Sequence, residues 1–286
     1  MDAASYPIVA DFLREIYIPL RMLGKKSGSH KMYRYQVAAF SRLLGRPALL
    51  SDLSDTQIAR ALSLRVAEGA APATVNDLRA VLCAVANFAW RRGLLDVPPE
   101  VPTLPMDEPE TTAYSTEQVA SILAACADRA DWQCLVLLLW FTGLRIGAML
   151  SLRCEDCRLP VVMIRARAQK QKRSQAFILP NDACQAVERI MQPPRELLFC
   201  IAPIKRLRAT FGQILAAAGL PHGPRDKFAR LRRSCAQACH AAGGNATLHL
   251  GHSSAAITVR HYLGPQPIDA TYLPRPGNGH AADFSI

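Results

Sequence analysis

Four residues in the second half of the chain have side chains suited to breaking a phosphodiester. Arg145 ends a Thr-Gly-Leu-Arg tetrapeptide, Arg232 lies in an Arg-Leu-Arg-Arg run, His252 follows Leu-Gly, and Tyr262 follows Arg-His. A planar guanidinium grips two phosphate oxygens and keeps its charge, while an imidazole can donate to a phosphate oxygen or take a proton from a phenol. Each residue alone also fits an ordinary structural role. Together, in this order, they favour attack on a phosphodiester by the phenol oxygen of Tyr262.

The distribution of positive charge favours a polyanionic partner. The 286 residues carry a formal net charge of +11, and the pI is near 9.5. Six Lys or Arg and no acid lie between Arg158 and Arg173. Such blocks could line a groove and displace counterions from a phosphate backbone, although a solvated charged face has the same composition. The candidate nucleic-acid contacts are Lys170, Arg173, Lys205, Arg208, Arg230 and Arg233.

The cysteines and the apolar segments indicate a reducing compartment. Nine cysteines are an odd number, the N-terminus lacks a signal-peptide pattern, and no run approaches about 18 uninterrupted apolar residues. We therefore expect reduced thiols in a cytoplasmic protein without a membrane partner. Cys154 and Cys157 have the spacing of a zinc-binding pair. No second such pair stands at a suitable distance, so buried small side chains are the better interpretation and we expect no cofactor.

A proline-rich stretch divides the chain. Five prolines lie between Val97 and Pro109, which prevents a long helix or a central strand there. We therefore predict an N-terminal domain over 1–104, the end of a linker over 105–112, and a larger domain with a C-terminal tail over 113–286. Hydrophobic periodicity predicts helices in the first domain at about 7–20, 29–44, 55–68 and 73–92.

The second domain is predicted to be mainly helical with a small sheet. A capping pattern at Ser115 starts a helix, and the apolar run from Leu135 to Phe141 should lie in the core. Short strands over 161–164 and 176–180 should pair as a hairpin. Further helices are predicted at about 182–192, 204–218, 228–242, 245–250 and 254–262. The expected fold class is therefore mainly α with a small β-sheet.

These motifs, in this order, resemble those of the tyrosine recombinase (phage integrase) family. The resemblance implies a helical, SAM-like core-site DNA-binding domain followed by a mixed α/β catalytic domain. It also implies a site-specific recombinase that cleaves and rejoins double-stranded DNA through a 3′-phosphotyrosyl intermediate, without a metal or nucleotide. Four copies would assemble on two DNA sites, with monomers or dimers off DNA, and the protein would be associated with the nucleoid.

The resemblance also implies catalytic roles for five residues. Arg145 and Arg232 would stabilise the transition state, His252 would assist proton or phosphate chemistry, and Tyr262 would be the nucleophile. The family places a lysine on a β-hairpin to protonate the leaving oxygen. Lys172 stands eight positions before the strand-ending proline, as in the family, and Lys170 is a competitor.

The chain departs from the family pattern at two places. Relatives carry His or Lys three residues before the second arginine, where this chain has Ala229. Either a neighbour such as Lys227 substitutes, or the enzyme is slow, or the alanine was engineered. The second departure is a separation of ten residues between His252 and Tyr262, where nine is commoner. His261 occupies the ninth position but cannot form the stable ester that this chemistry uses.

Two other functions compete with the recombinase interpretation. A type IB topoisomerase uses the same chemistry as a single copy, and a catalytically impaired relative would bind DNA without cutting it. Ala229 is the reason to consider the second alternative.

Overall fold

The protein consists of two compact units, each with its own hydrophobic core. A computed structural model describes residues 8–106, 112–169, 173–192, 195–200, 204–223 and 227–263. The units comprise Met1–Asp107 and Glu108–Ile286. The predicted C-terminal tail after position 263 lies outside the described residues, as do Lys170 and Lys172. In the part of the chain that the structure describes, no helix has the length and apolar character needed to cross a membrane.

The first unit is a bundle of four helical segments. Segment α1 combines Val9–Phe12, a π-helical turn over Leu13–Tyr17, and Ile18–Arg21; it is followed by α2 (Ser27–Leu44), α3 (Asp55–Ala67) and α4 (Pro72–Trp90). These bounds agree with the predicted helices to within two residues. The hydroxyl oxygen of Ser54 caps α3 by accepting from the backbone N–H of Gln57.

Helix α4 supplies much of the core of this unit. Its apolar stripe is buried against α2 and α3. The proline-rich segment that follows is held to this helix, since the Asn76 amide donates to the Leu104 carbonyl at 3.0 Å and accepts from its N–H at 2.9 Å. Arg79 also donates to the Val101 carbonyl. Val101 and Leu104 are thus held against α4, while the predicted domain boundary and linker stay predictions.

The second unit is mostly helical. Its helices are α5 (Thr116–Ala124), α6 (Ala130–Thr142), α7 (Ile146–Met149), α8 (Asn181–Met191), α9 (Ile204–Ala217), α10 (Lys227–Ala241), α11 (Ala246–His249) and α12 (Ala255–Thr258), which continues as a π-helical turn over Val259–Leu263. Helix α6 is central, as predicted, because it is apolar on all sides and packs against α8 and α10.

One small antiparallel sheet accompanies these helices. It contains β1 (Cys157–Arg158), β2 (Val161–Ile164) and β3 (Gln175–Ile178) in that order. Val162 of β2 pairs with Phe177 of β3, which confirms the predicted hairpin. Strand β1 was not predicted, since two residues carry no periodicity. The mainly α fold class with a small sheet is confirmed.

Candidate active site

A glycine at the end of α6 allows three elements to meet. Gly143 has a φ of 58°, a left-handed conformation that favours glycine. A Cβ atom here would lie 2.5 Å from Leu250 Cδ2 and 2.9 Å from Cys235 Sγ. Because those atoms belong to α10 and the residue after α11, the missing side chain permits their close approach. Two residues later the chain extends through the half-buried Arg145 into α7.

Arg232, on α10, lies at the centre of the site. Its side chain is buried, with 5% of the residue exposed. One terminal nitrogen, Nη1, donates to the Gly143 carbonyl, and Nη2 donates to the Leu250 carbonyl at 3.1 Å. Nη2 also lies 2.9 Å from His252 Nε2, and Nε lies 3.3 Å from the Tyr262 hydroxyl. This buried guanidinium thus links four pieces of chain.

The electrostatic environment of Arg232 favours an incoming anion. Burial lowers the pKa of its guanidinium, and the neighbouring charge of Arg145 acts in the same direction. The groups that Arg232 contacts in the described residues are carbonyls, an imidazole and a phenol, all of which are neutral at pH 7 in their ordinary forms. A phosphate would supply the negative charge that these groups lack.

His252 is held as a neutral imidazole. Its Nδ1 lies 2.8 Å from the Thr258 hydroxyl oxygen, on the side of the ring opposite Arg232. Burial lowers the pKa of His252 to about 4, and the charges of Arg232 and Arg145 contribute. The ring therefore carries no positive charge at pH 7.

The turn before His252 is fixed by a side chain of the sheet. Gly251 has a φ of 64°, and a Cβ there would lie 2.7 Å from Gln175 Oε1. The Gln175 amide nitrogen lies 3.4 Å from the Leu248 carbonyl and 3.3 Å from the His249 carbonyl, at the end of α11. His249 in turn bonds the Phe141 carbonyl through Nε2 at 2.9 Å. Strand β3 and helix α6 thus both support the turn that presents His252.

Tyr262 reaches Arg232 of the same chain through the π-helical turn. Its ring packs on the small cluster formed by Ala236, Ala246 and Leu250. The ring centroid lies 4.7 Å from that of His252, and the Gln237 amide donates to the Tyr262 carbonyl at 3.1 Å. A π-helix has about one more residue per turn than an α-helix. The turn therefore accommodates the additional residue between His252 and Tyr262.

The structure shows where the missing histidine of the family pattern would stand. Ala229 is exposed and lies one turn before Arg232, about 60° away around α10. Lys227 is about 140° from Arg232 around the helix. Its amino group donates to the Arg208 carbonyl of α9 at 2.8 Å. Lys227 is therefore engaged away from Arg232, which weakens its case as a substitute.

The residues predicted to contact DNA differ in their surroundings. Arg230 donates to the Ala113 carbonyl at 3.1 Å and lies over the Tyr114 ring, and Arg233 donates to the Thr112 carbonyl at 2.7 Å. Both arginines thus hold the segment before α5 against α10. Arg173 and Arg208 are exposed. Lys170, Lys172 and the side chain of Lys205 lie outside the described residues, and all of these roles stay predictions.

The cysteine pair that suggested zinc lies near the sheet. Cys157 is buried, which raises the pKa of its thiol to about 12 and disfavours the thiolate that a metal needs. Among the described residues, no group of three or more His, Cys, Asp or Glu side chains could hold a metal ion. Burial as a small apolar residue accounts for Cys157.

Sequence reasoning missed four polar residues that support the site. Thr247, Thr258, Gln175 and Gln237 contact the histidine, its turn or the tyrosine backbone. None belongs to a motif or stands out by charge. The one available signal was a threonine four positions before the tyrosine, on the helix that leads to it.

Much of the second unit matches a known protein family. A model of the phage integrase family matches residues 114–267, which is more than half of the chain. The chain belongs to the phage integrase family. The resemblance inferred from the sequence motifs is therefore confirmed. A comparison with curated protein sequences gives no match.

Solved structures of phage integrases and related recombinases share the fold. Lambda integrase, in a tetramer bound to a Holliday junction, has a TM-score of 0.74 and 19% identity, covering 90% of this chain and 78% of that one. The Tn1549 transposon integrase in complex with a circular intermediate DNA has a TM-score of 0.72 and 15% identity, covering 91% and 96%. The XerH site-specific recombinase bound to difH substrate has a TM-score of 0.64 and 16% identity, covering 90% and 81%.

Proposed function

We propose that this protein is a site-specific DNA recombinase that cleaves and rejoins strands through a 3′-phosphotyrosyl intermediate. The observation that carries the proposal is the contact of the Tyr262 hydroxyl with the buried Arg232, beside the neutral His252. In this member of the phage integrase family, a phenol that would be the nucleophile lies beside a buried guanidinium and an imidazole that would accept its proton. This is the combination that metal-independent phosphodiester cleavage requires.

The arrangement supports both the cleavage and the rejoining of a DNA strand. A scissile phosphate would bind at Arg232 and Arg145, whose charges stabilise the additional negative charge of the transition state. The Tyr262 oxygen would attack phosphorus and form the 3′-phosphotyrosyl ester, and the leaving 5′-oxygen would take a proton from a general acid to become a free 5′-hydroxyl. The family resemblance assigns that proton to Lys172. Because the ester keeps the bond energy, attack by another 5′-hydroxyl rejoins DNA without ATP.

The partners in this proposal are double-stranded DNA and further copies of the chain. Related structures are described as a lambda integrase dimer bound to a COC′ core site and as a tetramer bound to a Holliday junction. The excess of basic residues agrees with contacts to a phosphate backbone. We assign core-site binding to the first unit, catalysis to the second, and strand exchange to a homotetramer on two sites.

Trapping a covalent adduct tests this function. DNA duplexes that bind the protein would first be enriched from a random-sequence pool. They would then be nicked at successive positions, so that the short strand released by cleavage diffuses away and the covalent adduct remains. We expect one of the nick positions to yield a protein–DNA adduct. This adduct should survive detergent and be destroyed by protease. Binding without any adduct would instead support the impaired relative. Relaxation of a supercoiled plasmid without exchange between two duplexes would support the topoisomerase.

A further inference from the structure

Two threonines form a chain of hydroxyl groups behind His252. Thr258 lies on α12 and is almost fully buried, with 1% exposed. Its Oγ1 lies 2.8 Å from His252 Nδ1, and the Thr247 hydroxyl donates to it at 3.0 Å. A buried hydroxyl in this position has a strong requirement for satisfied hydrogen bonds. The Thr258 hydroxyl is therefore held between the His252 ring on one side and the Thr247 hydroxyl on the other.

The contacts of the imidazole determine which nitrogen carries its proton. On the side of the ring opposite Thr258, Arg232 Nη2 lies 2.9 Å from Nε2. A guanidinium donates and never accepts, so Nε2 must be the acceptor and cannot carry a hydrogen. In a neutral ring the proton is then on Nδ1, which donates to Thr258. The lone pair of Nε2 then points to Arg232, the same guanidinium whose Nε lies 3.3 Å from the Tyr262 hydroxyl.

This tautomer matters because the reaction needs a proton acceptor. Tyr262 must lose its phenol proton as it attacks, and the residue at position 229 is an alanine, which cannot take it. Lys227 is engaged at the Arg208 carbonyl. With Nε2 protonated, His252 would be only a donor to phosphate. With Nε2 unprotonated, it can act as a base.

We propose that Thr258 is a positioning residue whose hydroxyl oxygen accepts a hydrogen bond from Nδ1–H of His252 and so keeps Nε2 free to take the Tyr262 phenol proton. The inference rests on the proposed recombinase function. In the step, the O–H bond of Tyr262 breaks and an N–H bond forms at Nε2, while the phenol oxygen bonds to phosphorus and the bond between phosphorus and the 5′-oxygen breaks. The leaving 5′-oxygen takes its proton from the general acid, and the imidazolium returns its proton when the strand is rejoined.

Binding of DNA would prepare His252 for this step. Within the part of the chain that the structure describes, the charged or titratable groups near its ring are Arg232, Arg145, His261 and Tyr262. A phosphate oxygen is a stronger acceptor than an imidazole, so it would draw the Arg232 donors away from Nε2. Its negative charge would also offset the positive charges of Arg232 and Arg145. The pKa of His252 would therefore rise from its low value toward that of an ordinary histidine.

Two substitutions of Thr258 distinguish a role in positioning His252 from a role in filling space. Thr258→Val keeps the shape and removes the hydroxyl, whereas Thr258→Ser keeps the hydroxyl and removes a methyl group. We expect the valine variant to form the covalent adduct at least about tenfold more slowly in single turnover, with unchanged DNA affinity, and the serine variant to stay within about threefold. The reverse order would mean that Thr258 only fills space, and equal rates in all three proteins would overturn the proposal.

A second substitution and a spectrum complete the test. In an Ala229→His background, which supplies another acceptor, the effect of Thr258→Val should shrink; an undiminished effect would contradict the proposed role. Nitrogen-15 NMR of the DNA-free protein should show His252 protonated at Nδ1, and a proton on Nε2 would refute the assignment. This spectrum does not depend on activity. Absence of any adduct with the unsubstituted protein would overturn the recombinase function separately.

Discussion

Arg46 in the first unit and Arg232 in the second have different kinds of partner, although other arginines of the second unit, such as Arg165, also pair with carboxylates. In the first unit, Arg46 pairs with Asp52 at 2.7 Å, and Arg42 and Arg65 each contact Glu68 at 2.6 Å. In the second unit, Arg232 is buried among neutral carbonyl, imidazole and phenol groups. A carboxylate partner satisfies an arginine within the fold. A guanidinium buried among neutral groups retains its attraction for an external anion such as phosphate.

Removing the nucleophile should have the largest effect. Tyr262→Phe deletes one hydroxyl and no charge, so covalent adduct formation should be abolished while DNA affinity stays nearly constant. Adduct formation on a nicked duplex and binding on the intact duplex measure the two properties. An adduct that persists in this variant would show that another residue attacks DNA.

The comparison between arginines predicts a second, smaller loss. Arg232→Ala should slow cleavage by at least about 10²-fold, because it removes positive charge from the transition state. Arg46→Ala is the matched control in the first unit and should leave the single-turnover rate unchanged at saturating protein. Equal losses in both variants would mean that the neutral surroundings of Arg232 have no special role.

Restoring the family's histidine should change the rate in the opposite direction. Ala229→His places an imidazole one turn before Arg232, where relatives carry a proton-transfer group, and a single preorganised donor is worth roughly 10²–10³ in rate. We expect faster adduct formation, by less than this amount if His252 already serves as the base. A slower rate would place Ala229 outside the register inferred from the motifs.

The smallest effect concerns stability and pH in the first unit. The Arg46 guanidinium lowers the pKa of Asp52, so the ion pair stabilises the fold above the carboxyl's unfolded pKa, and this stabilisation is lost as the pH falls through the lower folded value. Arg46→Ala should therefore lower the urea midpoint at pH 7 and have less effect at pH 3. An equal decrease at both pH values would show that the pair acts through packing instead.

The sequence predicted the elements better than the interactions between them. Helix positions follow from local apolar periodicity and capping, which explains the close agreement at Ser54 and along α4. Contacts such as Gln175 with the turn before His252 join residues more than seventy positions apart, and no local pattern encodes them. The two-residue strand β1 and the π-helical turn that contains Tyr262 have no periodic signal of their own.

The candidate site was predicted where charge and chemistry mark a residue. Arg145, Arg232, His252 and Tyr262 stand in recognisable motifs, and the structure brings the last three into contact. Thr258 could not be found in this way, since a threonine on a helix is common and its role depends on the ring that it faces. Arg230 and Arg232 illustrate the same limit, because neighbours in one basic run contact different parts of the fold.

Locating the covalent bond tests the central claim most directly. The adduct trapped on a nicked duplex would be digested with nuclease and protease, and the modified peptide sequenced by mass spectrometry. We predict a single nucleotide joined through its 3′-phosphate to Tyr262. A nucleotide on His261, on Tyr272 or on any other residue, or a 5′-phosphate linkage, would contradict this account.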